Sequence, residues 1–313
     1  MRYVVVGPGA LGCLVGAKLA QGAAATGQDV RLLDHDRERA GFINRHGLVY
    51  EKSGRQQTYP VAATAVPEEI GRADVLFLCV KSTGVQAALK FCRPLLQAGT
   101  LLIFMQNGIG HLEFRDQTGE AVSAFGCTSE GATSLGAGQV RHAGEGQTFL
   151  GFLDPVSCTS QDLLAKTAAC LQAGGLNVCI AENIRTRLWA KLFVNVGINA
   201  LTAIHDCRNG DLLEIDEAMQ EMRAAVEEAE ELARAKGIPV ENDPYETTVA
   251  VCRATALNIS SMRQDVLKKR RTEIGAINGA VVRAAAKYGI KTPVNQSLAR
   301  RIEEIERTYS VLE

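Results

Sequence analysis

Lys191, Asn195 and Asn199 stand four residues apart in Leu188-Trp189-Ala190-Lys191-Leu192-Phe193-Val194-Asn195-Val196-Gly197-Ile198-Asn199, where nearly every other residue is apolar. On an α-helix that spacing places them on one face, drifting slowly around it, as a row of one ammonium and two amides. Burying such groups without partners costs roughly several kcal/mol each. The row therefore needs matching acceptors in the fold or a polar ligand in a cleft, and the cleft is the simpler account. Its chemistry suits a reaction that develops negative charge on a carbonyl oxygen. Lys191 can stabilise and then protonate that oxygen, while the amides orient neighbouring hydroxyl and carbonyl groups.

A second constellation opens the chain. Gly7-Pro8-Gly9-Ala10-Leu11-Gly12 is a G-x-G-x-x-G that follows a predicted strand and opens a predicted helix. In that context the glycines permit a tight turn, close approach to a pyrophosphate and close helix–strand packing, while the helix N-terminus offers N–H groups to phosphates. Asp34 ends the second predicted strand, where a carboxylate hydrogen-bonds the adenosine ribose and points to NAD. His35, Arg37 and Arg39 pull toward NADP, because cations there pair with its 2′-phosphate; Arg37 and Arg39 are equally well read as solvated helix positions. Val80-Lys81-Ser82 and Gln106-Asn107-Gly108 each follow a predicted strand, at the end where open α/β sheets bind ligands. Either alone reads as a solvated lysine or a turn; together they read as cofactor and substrate contacts.

The elements that must position these groups show two periodicities, with the change near Glu182. Before it, Tyr3–Val6, Val30–Leu33, Val75–Val80, Leu101–Met105 and Val122–Phe125 read as buried parallel strands with helices between them, the pattern of an α/β doubly wound sheet. Gln139–His142 and Thr148–Phe152 read as a hairpin, Leu163–Leu171 as a helix and Val178–Ile180 as a strand. After Glu182 the pattern is all-α: Ile184–Ile204, Ile215–Lys236, Tyr245–Asn258, Glu273–Tyr288 and Ser297–Tyr309. The expected domains are 1–182, dinucleotide-binding, and 183–313, helical and substrate-binding. No flexible linker separates them, which suggests a close interface.

Composition narrows the partners. Among 313 residues, 34 Lys and Arg nearly balance 35 Asp and Glu, so no basic field attracts nucleic acid or anionic lipid. The 9 cysteines show no C-x-x-C pair and cannot all pair within one chain, which reads as reduced thiols in a cytoplasmic protein without a metal site. The apolar run after Met1 is too short for a signal peptide or a membrane span. Small molecules or a second copy of the chain are the expected partners.

With these features in hand, the sequence resembles the ketopantoate reductases (2-dehydropantoate 2-reductases) over essentially its whole length. The likeness rests on Gly7 to Gly12, Lys81, Gln106-Asn107-Gly108, Trp189-Ala190-Lys191-Leu192 with Asn195 and Asn199, and Leu201-Thr202-Ala203-Ile204. It continues through Asn209-Gly210, Asn258-Ile259-Ser260-Ser261-Met262 with Gln264-Asp265, Arg271-Thr272-Glu273-Ile274, Asn278-Gly279 and Thr292-Pro293. The resemblance implies a Rossmann domain followed by a helical domain, with NADPH and a 2-oxo acid meeting in the cleft between them. It implies reduction of 2-dehydropantoate to pantoate, as in pantothenate biosynthesis, by a monomer or homodimer. By the same likeness Lys191 is the proton donor with Glu273 nearby holding it charged against the effect of burial, and Asn107, Asn195, Asn199, Asn209 and Ser261 contact substrate. The expected cofactor site comprises Gly7, Pro8, Gly9, Ala10, Leu11, Gly12, Asp34 and Lys81, and the resemblance implies that Asn107, Ala132 and Glu273 line it as well.

Asp34 and the additional residues Gly22-Ala23-Ala24-Ala25-Thr26-Gly27 depart from the pattern of NADP-specific members. They leave open an NADH-dependent reductase of other branched 2-oxo acids. Two further readings stand beside these. A relative of glycerol-3-phosphate or 6-phosphogluconate dehydrogenase would need a substrate-phosphate site, for which no motif is evident. A non-catalytic NAD(P) sensor would not need Lys191, the asparagines and Glu273 together.

Overall fold

A computed structural model describes residues 1–24 and 26–311 of the chain. Two compact units emerge: Met1–Gln106 with His111–Ile184, and Asn107–Gly110 with the chain from Arg185 on.

In chain order the first unit contains β1 (Arg2–Val6), α1 (Ala10–Ala23), β2 (Asp29–Leu33), α2 (Arg37–His46), β3 (Leu48–Lys52), β4 (Arg55–Tyr59), β5 (Ala62–Thr64) and β6 (Val75–Leu78). It continues with α3 (Val85–Phe91), β7 (Leu101–Phe104), β8 (Val122–Thr128), β9 (Gly131–Gly136), β10 (Gln139–Gly144), β11 (Thr148–Gly151), α4 (Cys158–Ala173) and β12 (Val178–Ile180). The main sheet runs β12-β11-β8-β7-β6-β1-β2-β5, and its stretch from β8 to β5 is parallel throughout. Counted in chain order, β5-β2-β1-β6-β7-β8 is the 3-2-1-4-5-6 arrangement of dinucleotide-binding sheets. β6 and β7 are buried at every residue, as strands covered on both faces must be, which is why Val75-Leu76-Phe77-Leu78 and Leu101-Leu102-Ile103-Phe104 are unbroken apolar runs.

The expected hairpin of Gln139–His142 with Thr148–Phe152 does not form. β10 pairs with β9 and β3 in a separate four-stranded sheet, β4-β3-β10-β9, whereas β11 joins the main sheet against β8 and β12. α1 packs against β3, β9 and β10, so the small sheet covers the helix that the glycine loop opens. Of the departure at Gly22 to Gly27, Ala25 lies outside the described residues; Gly22 and Ala23 are the last two residues of α1.

The second unit is helical: α5 (Ile184–Ile204), α6 (Asp216–Ala235), α7 (Pro244–Ala254), α8 (Ser261–Leu267), α9 (Asn278–Ala286) and α10 (Pro293–Arg307). Trp189, Leu192, Val196 and Leu201 of α5 are buried, as its apolar composition requires. Helix starts follow capping chemistry: Asp243 accepts from Glu246 N ahead of Pro244, and Ser260 accepts from Arg263 N. Two expected helices are shorter than their periodicity suggests. The Tyr245–Asn258 pattern stops at Ala254, because Ala256 and Asn258 turn their carbonyls to Gly210 N and Asn209 N, both at 3.1 Å. Glu273–Tyr288 is broken into a 3-10 turn, Ile274–Ala276, and α9, because the Ala276 carbonyl accepts from Ile109 N at 3.1 Å.

Candidate active site

In the first unit the chain leaves β1 through Gly7, whose φ of +83° is accessible chiefly to glycine. Pro8 is buried and Gly9 exposed, and α1 begins at Ala10 without a side-chain cap. A side chain at Gly12 would sit 2.2 Å from the Gly7 carbonyl oxygen, so that position admits none; at Gly9 nothing lies within 4 Å of where a Cβ would project. Gly9 thus borders an open cradle beside uncapped helix N–H groups, which fits a pyrophosphate. Cys13 braces the turn from below, Sγ to Pro8 O at 3.1 Å, and burial pushes its thiol up to about 12, leaving it a neutral packing group. Lys81 is exposed and caps a 3-10 turn at the carboxyl end of β6; Ala132 is half-buried on β9 opposite His142.

The Asp34 carboxylate is fully buried and turned back on its own chain. It accepts both Nε and Nη2 of Arg39 and the Asp36 N–H at 3.1 Å. The paired carboxylate raises the pKa of Arg39. The side chain of His35 is 81% exposed, and Arg37 and Glu38 are exposed too, so a cation and a carboxylate both face outward past β2.

In the second unit the polar face of α5 meets two other segments. Lys191 Nζ donates to Asn107 Oδ1 at 2.7 Å, and Asn107 Nδ2 donates to Glu273 Oε2 at 2.8 Å. Asn107 therefore joins ammonium to carboxylate, a bridging role that spacing alone did not suggest. Its loop, Asn107–Gly110, is seated by Ile109 N on Ala276 O and by Gly108, φ +75°, where a Cβ would lie 2.1 Å from that same oxygen. Glu273 lies just before the same turn, and Thr272 anchors it by accepting Ile274 N and by donating its own N–H to Glu306.

Asn195, half-buried, and Asn199, buried, continue the row one and two turns beyond Lys191. Asn209 is buried, donates from Nδ2 to Thr255 Oγ1 at 2.9 Å, and keeps its Oδ1 buried without a hydrogen-bond partner. Ser261 is exposed at the first turn of α8, and its neighbour Ser260 lies 2.7 Å from the Thr202 hydroxyl of α5, which ties that turn to the helix bearing Lys191. Spacing alone did not mark Ser260 and Thr202 as supports; for Ser260 the available signal was a serine just ahead of a helix, where it serves as N-cap. Among the described residues no group of His, Cys, Asp and Glu could hold a metal ion, and no helix is long and apolar enough to cross a membrane.

Comparison with known proteins gives a consistent match. The family described as ketopantoate reductase PanE/ApbA matches residues 3–155, and its C-terminal family matches residues 183–306. A 2-dehydropantoate 2-reductase of Halobacterium salinarum is 34% identical over 309 residues, covering 98% of this chain and 99% of the relative. One of Vibrio cholerae is 38% identical over 240 residues, covering 76% of this chain and 79% of the relative. Among solved structures, a PanE/ApbA family ketopantoate reductase from Ralstonia eutropha superposes with a TM-score of 0.89 at 30% identity, covering 99% of this chain and 100% of the other. D-mandelate dehydrogenase with NADH and anilino(oxo)acetate superposes with a TM-score of 0.88 at 27% identity, covering 99% of each chain.

Proposed function

The chain belongs to the ketopantoate reductase family of NAD(P)-dependent oxidoreductases acting on CH–OH, and from that premise we propose that it reduces 2-dehydropantoate to pantoate with NADPH. The observation that carries the reading is the Lys191–Asn107–Glu273 chain on the polar face of α5.

The bound nicotinamide cofactor supplies a hydride; Gly7 to Gly12 and the uncapped start of α1 would hold its pyrophosphate. Reduction of a ketone carbon leaves negative charge on the carbonyl oxygen, and the Lys191 ammonium would neutralise it and hand over a proton. Asn107 fixes Nζ through its carbonyl oxygen and passes its own N–H to Glu273, so the ammonium is oriented while the carboxylate stays near as a balancing charge. Asn195, Asn199 and Asn209 would orient hydroxyl and carbonyl groups of the substrate. Ser261, exposed at the start of α8, would take its carboxylate.

NADPH is favoured over NADH because Arg39 already occupies Asp34, which therefore orients a cation instead of meeting a ribose. The likeness to D-mandelate dehydrogenase supports a second reading, an NADH-dependent reductase of other branched 2-oxo acids. A spectrophotometric panel of 2-oxo acids against NADPH and NADH decides between them. Highest kcat/KM for 2-dehydropantoate with NADPH is the expected result; a higher value for another 2-oxo acid with NADH would favour the second reading, and no turnover of any would leave a binding protein.

A further inference from the structure

Apart from this site, the first unit buries a second chain of polar side chains. Glu130, in the connection between β8 and β9, brings Oε2 to 2.6 Å from His142 Nε2 on β10, and His142 Nδ1 lies 2.8 Å from the Tyr50 hydroxyl on β3. The side chains of His142 and Glu130 are only 2% and 3% exposed. Buried Lys18 of α1 holds its ammonium 4.2 Å from the centre of the Tyr50 ring, and burial pulls its pKa below the ordinary value. Tyr59 reaches Gln21 beside Lys18, while Lys52 and Glu145 pair with each other at the rim. On its other side Glu130 shares the walls of an apolar pocket with Leu11, Leu14, Phe77 and Met105.

Such a pair is a poor source of stability, because desolvation offsets much of its attraction and apolar replacements are often neutral or stabilising. What it does fix is direction. The Glu130 side chain points inward while the residue as a whole, with Gly131 and Ala132, is only half-buried, so the exposed part of this segment is its backbone. The segment leaves the carboxyl end of β8, the sixth parallel strand, where open sheets of this order bind ligands. Its start is held from the side by Ser129 N on Gln147 O at 3.0 Å and Gln147 N on Ser129 Oγ at 2.9 Å.

We propose that Glu130, His142 and Tyr50 are positioning residues: the inward carboxylate, gripped by His142, locks the backbone of Glu130–Ala132 in the conformation that faces the cofactor. The proposal rests on the cofactor reading given above, and it places none of the three in contact with substrate. If loss of the grip leaves the segment in its binding conformation about a tenth of the time, affinity falls about tenfold.

The test compares wild type, Glu130→Gln and Glu130→Leu/His142→Leu by amide hydrogen exchange, NADPH affinity, kcat at saturating cofactor and melting temperature. In the double variant, exchange at residues 130–132 should quicken about tenfold or more while α1 and β8 stay protected, and NADPH Kd should rise about tenfold with kcat nearly unchanged. Glu130→Gln, which still accepts from the imidazole, should restore most of both. Unchanged exchange at 130–132 overturns the proposal, and so does a general loss of protection with a lowered melting temperature, which marks the chain as core support. Should the double variant not fold, Tyr50→Phe is the substitute, and unchanged exchange and affinity there overturn the proposal equally. Failure of the cofactor reading is separate, since wild type would then bind neither NADPH nor NADH while exchange at 130–132 still reports on the grip.

Discussion

Lys191 has Asn107 as its hydrogen-bonded link toward Glu273, so the three side chains should respond to substitution in graded fashion. Lys191→Ala removes both proton and charge, and kcat should fall by about a hundredfold to ten-thousandfold, with NADPH affinity largely kept. Full activity would exclude Lys191 as the donor, and unfolding would mark the polar row as structural. Glu273→Gln keeps an acceptor for Asn107 and loses only the charge, so stopped-flow or steady-state kcat should fall less than in Lys191→Ala. At the other unit, Arg39→Ala strips Asp34 of its partner. Charge-assisted hydrogen bonds are worth about 1.5–3 kcal/mol, so the NADPH-to-NADH ratio of kcat/KM should drop about tenfold or more. A ratio that does not move would show that neither Arg39 nor Asp34 reads the adenosine ribose.

The turn at 107–110 shows how an element places a residue. Gly108 lies at φ +75° with the Ala276 oxygen 2.1 Å from where a Cβ would be, so Gly108→Ala must push the loop off its seat and carry Asn107 with it. The strained conformation costs about 1–3 kcal/mol, and kcat should fall about tenfold or more while circular dichroism stays unchanged. Wild-type kcat would mean that the seat does not set Asn107. This contact also explains a limit of the sequence. The apolar period of Ile184–Ile204 is the period of α5 itself, because a helix buried on most sides records its own geometry, and the row of Lys191, Asn195 and Asn199 was legible with it. Glu273–Tyr288 has helical period too, yet its backbone is diverted at Ala276 to a partner far away in the chain, which no local pattern encodes. The same holds for Gln139–Gly144 and Thr148–Gly151, whose strand character is local but whose partners lie in different sheets. β4 went unread because Arg55-Gln56-Gln57-Thr58 is exposed and polar, without the alternation that marks a half-buried strand, and β3 because its apolar stretch, Leu48-Val49-Tyr50, is short and its partners are β4 and the distant β10. At the site, residue types were legible and their links were not: neither the Asp34–Arg39 pair nor the Asn107 bridge follows from spacing.

For the molecule as a whole, the proposed cofactor loop, Gly7 to Gly12, and the proposed proton donor, Lys191, belong to different compact units of the chain. Binding and turnover should then separate experimentally. A ligand that binds only the folded state stabilises it by about 2.7 kcal/mol at a hundredfold excess over Kd, which for a domain of this size moves the melting temperature by about several degrees. NADPH should raise the melting temperature of wild type by that amount. Lys191→Ala should show the same rise while losing turnover, because its defect lies in the second unit. Gly9→Val should show the reverse pattern at its origin: the branched side chain enters the open cradle beside α1, where nothing now lies within 4 Å, and competes with the pyrophosphate. Its melting temperature without ligand should stay near wild type, since a Cβ at Gly9 has no protein atom within 4 Å, and the rise with either nicotinamide cofactor should vanish. A Gly9→Val protein that NADPH still stabilises fully would remove the glycine loop from the cofactor site, whatever its rate of turnover.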